Sequence, residues 1–198
     1  MYPESIKSLI ESFKYLPGIG EKTAERLAFS VLDLEEEQVE LFSECLNDVK
    51  NKIHKCENCN TLTEDELCYI CSDDTRDSNV LCVVDDCKSV FLFEKLGMFN
   101  GKYHVLDGLI SPLDGINPED IGIDKLLNRI EKEKFNEIIF AFKPSIEGET
   151  TSLYIKKVLD GLNIKVTRLA SGVPIGADIE YVDSLTLERA LNDRKIIE

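Results

Sequence analysis

The sequence predicts a protein of the α+β class that is divided into several modules, one of them with a mostly parallel sheet. Three observations support this prediction. A glycine-containing turn joins two amphipathic segments near the N-terminus, four cysteines follow in two C-x2-C pairs, and strand-like and helix-like segments alternate after residue 76. We expect modules at residues 1–54, 55–76, 79–170 and 171–198, the last a loop followed by a helix.

The N-terminal segment is predicted to form a hairpin of two helices. Residues 16–20 read LPGIG, in which Gly18 and Gly20 permit a backbone path that a side chain would obstruct. Apolar residues recur at helical spacing on both sides of this turn: Ile6, Leu9, Ile10 and Phe13 before it, and Ala24, Leu27, Ala28, Val31 and Leu32 after it. The two stripes can pack together and leave the turn exposed.

The start of the second helix is the candidate nucleic-acid contact. Free backbone N–H groups at a helix start favour an anion, and basic side chains stand beside them. The predicted contacts to a DNA backbone, made without reading bases, are Gly18, Ile19, Gly20, Lys22, Thr23 and Arg26. The alternative is that this turn only joins two helices of a packed bundle.

The net charge of -15 argues against a strong nonspecific nucleic-acid binder, because neutralising phosphates needs a concentration of Lys and Arg. The acids are unevenly distributed: seven lie between positions 33 and 48, with no basic residue before Lys50. Any DNA-binding surface is therefore narrow. One copy should bind weakly, and several copies on one strand, or a basic partner, would compensate.

The four-cysteine segment predicts one structural zinc ion. Each C-x2-C pair can direct two thiolates toward one ion, and four sulfurs leave no coordination position for a substrate. The ligands are Cys56, Cys59, Cys68 and Cys71. Two disulfides or a dithiol redox centre are the alternatives. The other cysteines lack ligand spacing: Cys45 and Cys82 are expected in the core, and Cys87 in a loop.

After residue 76 the pattern predicts a mostly parallel sheet covered by helices. Predicted strands lie at 80–84, 103–106, 137–142 and 164–170, and predicted helices near 88–97, 123–134 and 149–162. No apolar run is long enough to span a membrane, and the N-terminus lacks the plan of a signal peptide. We therefore expect a cytosolic protein without membrane contact.

Acidic residues follow the predicted strands at the sheet edge where function usually gathers. Asp85 and Asp86 follow the first strand, Asp107 the second, and Glu147 lies in the segment after the third. Such carboxylates could hold magnesium, or they could be solvated loop acids and helix caps, and Lys143 opposes a dication.

Other features give no catalytic signal. His104 lies in a strand and is interpreted as a buried, hydrogen-bonded residue, since no nucleophile accompanies it. The sequence has neither a Walker A loop nor a dinucleotide-binding glycine pattern. The loop near Gly172, Pro174 and Gly176 could be a contact surface or could close the domain, and a helix is predicted to start near Asp183 or Ser184.

Taken in order, these modules closely resemble the RecR family of bacterial recombination mediators over nearly the whole chain. The hairpin turn with Lys22 and Arg26 and the four cysteines carry the resemblance, together with residues 101–106 (GKYHVL), 147–149 (EGE), 167–170 (TRLA) and 180–183 (EYVD). The resemblance implies a Toprim-type α/β domain over about residues 79–170 and a protein without enzymatic activity.

The family also implies partners and an assembly. Its members form dimers and ring-like tetramers that encircle DNA, act with RecO, RecF or both, and help load the RecA recombinase onto gapped single-stranded DNA covered by single-strand binding protein. Lys22 and Arg26 would then face DNA, and the C-terminal segment 171–198 would be an oligomer contact. The acidic cluster Asp85, Glu94 and Glu147 would contact a partner.

This sequence departs from the family pattern at three positions in or near that cluster. Asp85 stands where Glu is usual, Ser89 where Asp is usual, and Lys143 replaces an Asn, whereas Glu94 and Glu147 match. These changes argue against a divalent metal there. The alternative function is a magnesium-dependent Toprim enzyme, of primase or nuclease type, that uses Asp85, Glu94 and Glu147.

Overall fold

The computed structural model describes residues 2–170, 172–194 and 196. The chain divides into two compact units, and the division falls between Ile53 and His54. Each unit has its own buried apolar residues. Within the described residues, no helix combines the length and apolarity that a membrane crossing requires.

The first unit consists of three helices: α1 (Glu4–Lys14), α2 (Glu21–Val31) and α3 (Glu36–Lys52). Its core lies between α1 and α2, where Ile10, Ala24 and Ala28 are fully enclosed. The small alanine side chains let the two helices approach closely. Helix α3 begins with a capping box between Glu35 and Gln38, yet none of its side chains is buried.

The second unit is an α/β structure that includes the four-cysteine segment. Its elements are β1 (His54–Lys55), β2 (Leu62–Thr63), α4 (Tyr69–Ser72), β3 (Asp77–Val84), α5 (Cys87–Leu96), β4 (Gly101–Val105), α6 (Ile123–Glu133), β5 (Glu137–Phe140), α7 (Ile146–Val158), β6 (Lys165–Arg168) and α8 (Ser184–Asn192). Three short 3-10 helices occupy Pro112–Asp114, Pro118–Ile121 and Ile179–Tyr181.

The main sheet has four parallel strands in the order β4-β3-β5-β6, and β1 and β2 form a separate antiparallel pair. Side chains alternate between its two faces. Leu81 and Val83 pack with α6 and α7 on one face, whereas Cys82 and Val84 pack with Val90 of α5 on the other. The four parallel strands and the helices confirm the predicted α+β class.

The four-cysteine segment covers the open edge of strand β4. The Val105 N–H donates to the Cys59 carbonyl at 2.8 Å, and the Asn60 side-chain amide donates to the Val105 carbonyl at 3.0 Å. Asn60 adopts a left-handed backbone conformation with φ of 62°. An uncovered edge strand would expose these groups to pairing with another chain, so the segment acts as an edge cover.

Two arginines complete this cover. Arg129 of α6 donates to the Tyr103 carbonyl at 2.5 Å, and Arg76 donates to the Gly101 carbonyl at 2.8 Å. Buried Lys102 reaches the far end of the cysteine segment, where its ammonium donates to the carbonyls of Ile70, Cys71 and Asp73 at 2.9, 3.4 and 2.8 Å. The cysteine segment and the sheet are therefore one folded body.

Several element boundaries differ from the sequence prediction for local reasons. Helix α7 begins at Ile146, three residues earlier than predicted, because the Ser145 hydroxyl accepts the Gly148 N–H as a cap. Helix α8 begins at Ser184, with Asp183 as its cap, as predicted. Helix α3 was not predicted, and its apolar residues find no packing surface within the described unit.

Candidate nucleic-acid and metal sites

The hairpin turn is built from local geometry. The Leu16 carbonyl accepts the Ile19 N–H at 3.2 Å, with Pro17 and Gly18 at the central positions. Gly18 has φ of +84°, which glycine adopts without strain and which suits the third position of a type II turn. Within the part of the chain that the structure describes, no side chain caps the first turn of α2, and a Cβ at Gly18 or Gly20 would meet no atom within 4 Å. The Thr23 N–H already donates to the Gly20 carbonyl at 3.0 Å, and the space beside the two turn glycines is open.

The basic residues of the hairpin differ in whether they form ion pairs with nearby carboxylates. Lys7 pairs with Glu4 at 3.2 Å, and Lys14 pairs with Glu11 at 2.9 Å and Glu21 at 2.7 Å. The hydrogen bonds to Glu21 and Glu11 raise the pKa of Lys14. These two lysines are therefore occupied by carboxylates of the hairpin itself.

Lys22 and Arg26, by contrast, form no ion pair with any residue that the structure describes. Both are exposed and lie one helical turn apart on α2. The turn residues Gly18, Ile19 and Gly20 lie directly before this helix. The structure thus brings the predicted contact residues together as one small surface with two unneutralised charges.

The four cysteines converge on a single point. Their sulfur atoms all lie within 4.8 Å of one another, and Cys56, Cys59 and Cys68 are buried. The edges of a zinc–sulfur tetrahedron are about 3.8 Å, given bonds of about 2.3 Å. The Sγ atoms of Cys59 and Cys68 are 3.4 Å apart, much longer than the roughly 2.05 Å of a disulfide bond. This spacing fits a metal ion and not a pair of disulfides.

Hydrogen bonds around the sulfurs also favour bound thiolates. The Cys68 N–H donates to the Cys56 sulfur at 3.3 Å, and the Thr61 N–H donates to the Cys59 sulfur at 3.5 Å. Without a cation the sulfurs compete for protons: the hydrogen bond from Cys59 lowers the pKa of Cys68, and the same contact raises the pKa of Cys59. A zinc dication removes this conflict, since it binds all four as thiolates.

The remaining cysteines do not join this cluster. Cys82 is buried in the sheet, where desolvation raises the pKa of its thiol to about 12. Cys87 was expected in a loop, and that expectation is wrong: it is the first residue of α5, and its thiol donates to the Asn60 carbonyl at 3.5 Å. Cys45 was expected in the core, and that expectation is wrong: it is exposed, because α3 buries none of its side chains.

An acidic cleft lies at the carboxyl ends of the strands. It is lined by Asp85 and Asp86 after β3, Asp114 after β4 and Glu147 at the start of α7. Lys143 lines the same cleft. A hydrogen bond with Ser145 lowers the pKa of Glu147, and the charge of Lys143 adds to this effect. Among the described residues only the four cysteines form a group of three or more metal ligands within binding distance.

The structure separates Glu94 from this cleft, which corrects its grouping with Asp85 and Glu147. Helix α5 starts at the carboxyl end of β3 and returns toward the opposite edge of the sheet, so Glu94, near its end, lies far along it from Asp85. There the Glu94 carboxylate forms an ion pair with Arg76, which also binds the Gly101 carbonyl at the start of β4. Glu94 therefore has a structural partner at the amino edge.

His104 is buried completely within β4, and neither ring nitrogen has a hydrogen-bond partner among the described residues. The sequence interpretation of a buried histidine is confirmed, but its expected hydrogen bond is not. Desolvation lowers the pKa of His104 to about 3, and the nearby charges of Arg129 and Lys125 add to this effect. The imidazole is therefore neutral in the folded protein at neutral pH.

This burial predicts an acid-sensitive fold. In the unfolded chain His104 binds a proton below about pH 6.5, whereas in the folded chain its imidazole stays neutral down to about pH 3. Its contribution to stability is complete above pH 6.5 and falls by about 1.4 kcal/mol per pH unit below it. In urea unfolding at pH 7.5, 6.5 and 5.5, we expect His104→Leu to lose less stability on acidification than the wild type. Parallel curves would contradict this prediction.

Comparison with known proteins matches this arrangement segment by segment. Family models match at residues 6–50 (RecR, helix-hairpin-helix), 53–73 (RecR, four-cysteine zinc finger domain), 79–170 (Toprim domain) and 172–195 (RecR, C-terminal). Proteins named recombination protein RecR from Staphylococcus saprophyticus and Natranaerobius thermophilus are 50% and 47% identical to this chain, over 98% of each sequence. A third, from Staphylococcus haemolyticus, is 50% identical over the same share. The chain belongs to the RecR family.

Membership of the RecR family places this chain among proteins of DNA recombination and repair. The cysteine cluster is the four-cysteine zinc finger of that family, and the residues present fit one structural zinc ion. The α/β body is its Toprim domain. Sequence reasoning missed the residues that fasten the zinc finger to the sheet, notably Asn60, Lys102 and Arg129, because no local pattern marks them.

Proposed function

We propose that this RecR-family chain is a non-enzymatic DNA repair and recombination mediator that forms a ring-like clamp on DNA. It acts with RecO, RecF or both to help load RecA onto gapped single-stranded DNA coated with single-strand binding protein. The observation that carries the proposal is the pair of exposed, unneutralised charges of Lys22 and Arg26 beside an uncapped helix start. Phosphate groups are the ligand that this chemistry favours.

A clamp of several copies is supported by helix α3. Val39, Phe42, Leu46 and Val49 recur at spacings of three and four residues on one face of this helix, and all are exposed, between 38% and 66%. An amphipathic helix needs a covering surface for such a stripe. A second copy of the chain supplies an identical stripe that can cover the first. Several copies in one assembly also raise the overall affinity for DNA above that of a single hairpin.

Phe42→Glu is therefore expected to lower the assembly state, because a carboxylate in the covered stripe lacks hydration and a partner. Leu41→Glu is the matched control: Leu41 is also exposed on α3 but lies off the stripe. Light scattering over a range of concentrations, with and without gapped DNA, measures the mass. We expect the wild type and Leu41→Glu to form dimers or tetramers that DNA stabilises, and Phe42→Glu to remain smaller. A wild type that stays monomeric with DNA would contradict the clamp.

The acidic cleft is proposed as the contact for a protein partner, RecO or RecF. Carboxylates of Asp85, Asp86 and Glu147 line it, and two nearly fully exposed aliphatic side chains stand next to it in sequence, Leu113 beside Asp114 and Ile146 beside Glu147. This combination suits a basic segment that carries apolar side chains.

The same cleft supports a non-enzymatic role. Lys143 provides a positive charge where a Toprim enzyme would need a dication, and Glu94 is paired with Arg76 elsewhere. Magnesium-dependent strand cutting or nucleotide incorporation that disappears in Glu147→Ala would overturn this part of the proposal. A mediator of this kind works in the cytoplasm, at the nucleoid.

A further inference from the structure

A second concentration of positive charge lies in the other unit, away from the hairpin sequence. A small cavity of about 50 Å³, open to solvent on one side, is lined by the end of β5, the start of α7, the end of β6 and helix α8. Three basic side chains line it: Lys143, Arg168 and Arg189. In a chain with a net charge of -15, three cations around one cavity need a physical explanation.

Two of these cations form no ion pair with a described residue, although the charge of Lys143 also acts on Glu147 in the neighbouring acidic cleft. Arg189 is half-buried and Lys143 is exposed, and neither forms an ion pair or side-chain hydrogen bond with any described residue. A guanidinium that has lost part of its hydration without a partner is costly. An anion within the cavity would supply the missing partner.

The third cation is already held in place. Arg168 donates to both oxygens of Glu149 at 3.2 and 2.9 Å and lies 3.6 Å from Asp193. Glu149 also lines the cavity, so its wall carries three positive charges and one negative charge. Glu149 fixes the direction of Arg168 and leaves its remaining N–H donors available.

The start of α7 adds little to this site, because the Ser145 hydroxyl already accepts the Gly148 N–H. The attraction for an anion must therefore come from the basic side chains that line the cavity. The cavity also adjoins a larger groove of about 490 Å³, which shares Arg168 and Glu149 with it and adds Lys156. A small anion fits the cavity, and a larger body attached to that anion can extend into the groove.

We propose that this cavity binds a phosphate group, held by Lys143 and Arg189 with Arg168 at its rim. A phosphate carries more charge than a carboxylate and accepts hydrogen bonds from several directions, as three separate cations require. The group is either free phosphate or the terminal phosphate of a nucleotide whose remainder lies in the groove. This site lies outside the hairpin, but Arg189 belongs to the C-terminal segment 171–198 and Lys143 also lines the acidic cleft.

The test uses the full chain and the 31P NMR signal of inorganic phosphate, followed by that of adenosine monophosphate. Saturable line broadening is expected for the wild type. Tighter binding of the monophosphate would identify a nucleotide as the source, and equal binding would identify free phosphate. No saturable broadening with either probe would overturn the proposal.

Two variants locate the site. Arg189→Gln and Lys143→Gln should each weaken phosphate binding about tenfold or more, since each removes a charged hydrogen bond. Lys143 is exposed, so its variant is expected to fold even if Arg189→Gln does not. Arg194→Gln is the matched control, an exposed arginine of the same C-terminal segment that does not line the cavity. An equal loss in this control, or no loss in Lys143→Gln, would overturn the assignment.

Discussion

Replacing Lys22 and Arg26 together by glutamine is expected to weaken binding to single-stranded DNA on the order of tenfold to a hundredfold for each hairpin engaged. Both side chains are exposed and unpaired, so their charge is available to phosphates and to no carboxylate of the described chain. Phosphate contacts carry no base information, so the loss should be similar for every DNA sequence.

The dependence of this binding on salt gives a sharper test than affinity alone. The logarithm of the binding constant falls with the logarithm of salt concentration by about 0.7 for each phosphate neutralised on a single strand. Losing two contacts in one copy should therefore reduce this slope by about 1.4. Fluorescence anisotropy with a labelled oligonucleotide, repeated at four salt concentrations, measures both quantities.

A control separates this local effect from the loss of two charges anywhere. Lys7→Gln with Lys132→Gln changes the net charge by the same amount at exposed positions outside the hairpin turn. Lys7 is already paired with Glu4, so little DNA affinity should be lost. If the control weakens binding and flattens the slope as much as the Lys22 and Arg26 variant, the hairpin is not the DNA contact.

The parts of this protein that could be predicted from sequence are those set by local chemistry. A turn that needs φ of +84° at Gly18, four cysteines spaced for one ion, and apolar runs such as residues 80–84 each carry their own signal. The predicted strand at 137–142 ends earlier, at Phe140, although the Ala141 N–H still donates to the Val83 carbonyl of β3 at 2.9 Å.

The missed features depend on distant parts of the chain. Glu94 matches a family pattern in sequence, but α5 carries it to the opposite edge of the sheet from Asp85. Helix α3 has an apolar stripe that no described residue covers, and the role proposed for it requires a second copy of the chain. In the sequence Asn60 has no distinguishing pattern. In the structure its side-chain amide donates to the Val105 carbonyl and its side-chain oxygen accepts from the Lys125 ammonium.

These contacts of Asn60 explain why the zinc finger matters to the whole second unit. The Cys56, Cys59 and Cys68 sulfurs belong to the same apolar cluster as Tyr103 and Val105 of β4. The ion that fixes the cysteines therefore also fixes the loop that covers the edge of this strand. Without that cover, the edge of β4 would be open to water and to other chains.

Cys68→Ser is accordingly expected to release zinc and to lower the free energy of unfolding of the second unit by at least about 3 kcal/mol, since zinc binding energy is folding energy in such sites. Zinc content and urea unfolding measure the two effects. Cys45→Ser is the matched control, because Cys45 is exposed on α3 and outside the cluster. A wild type without stoichiometric zinc would contradict the prediction.

Hydrogen exchange can show which part of the second unit opens first when zinc is lost, because two neighbouring amides at the end of β4 donate to different acceptors. The Val105 N–H bonds to the Cys59 carbonyl of the zinc finger, whereas the Leu106 N–H bonds to the Val84 carbonyl of the central strand. After zinc removal under native conditions, exchange at Val105 should accelerate while Leu106 remains protected. Equal acceleration at both amides would show that zinc supports the entire sheet, and unchanged exchange at Val105 would show that the edge cover holds without the metal.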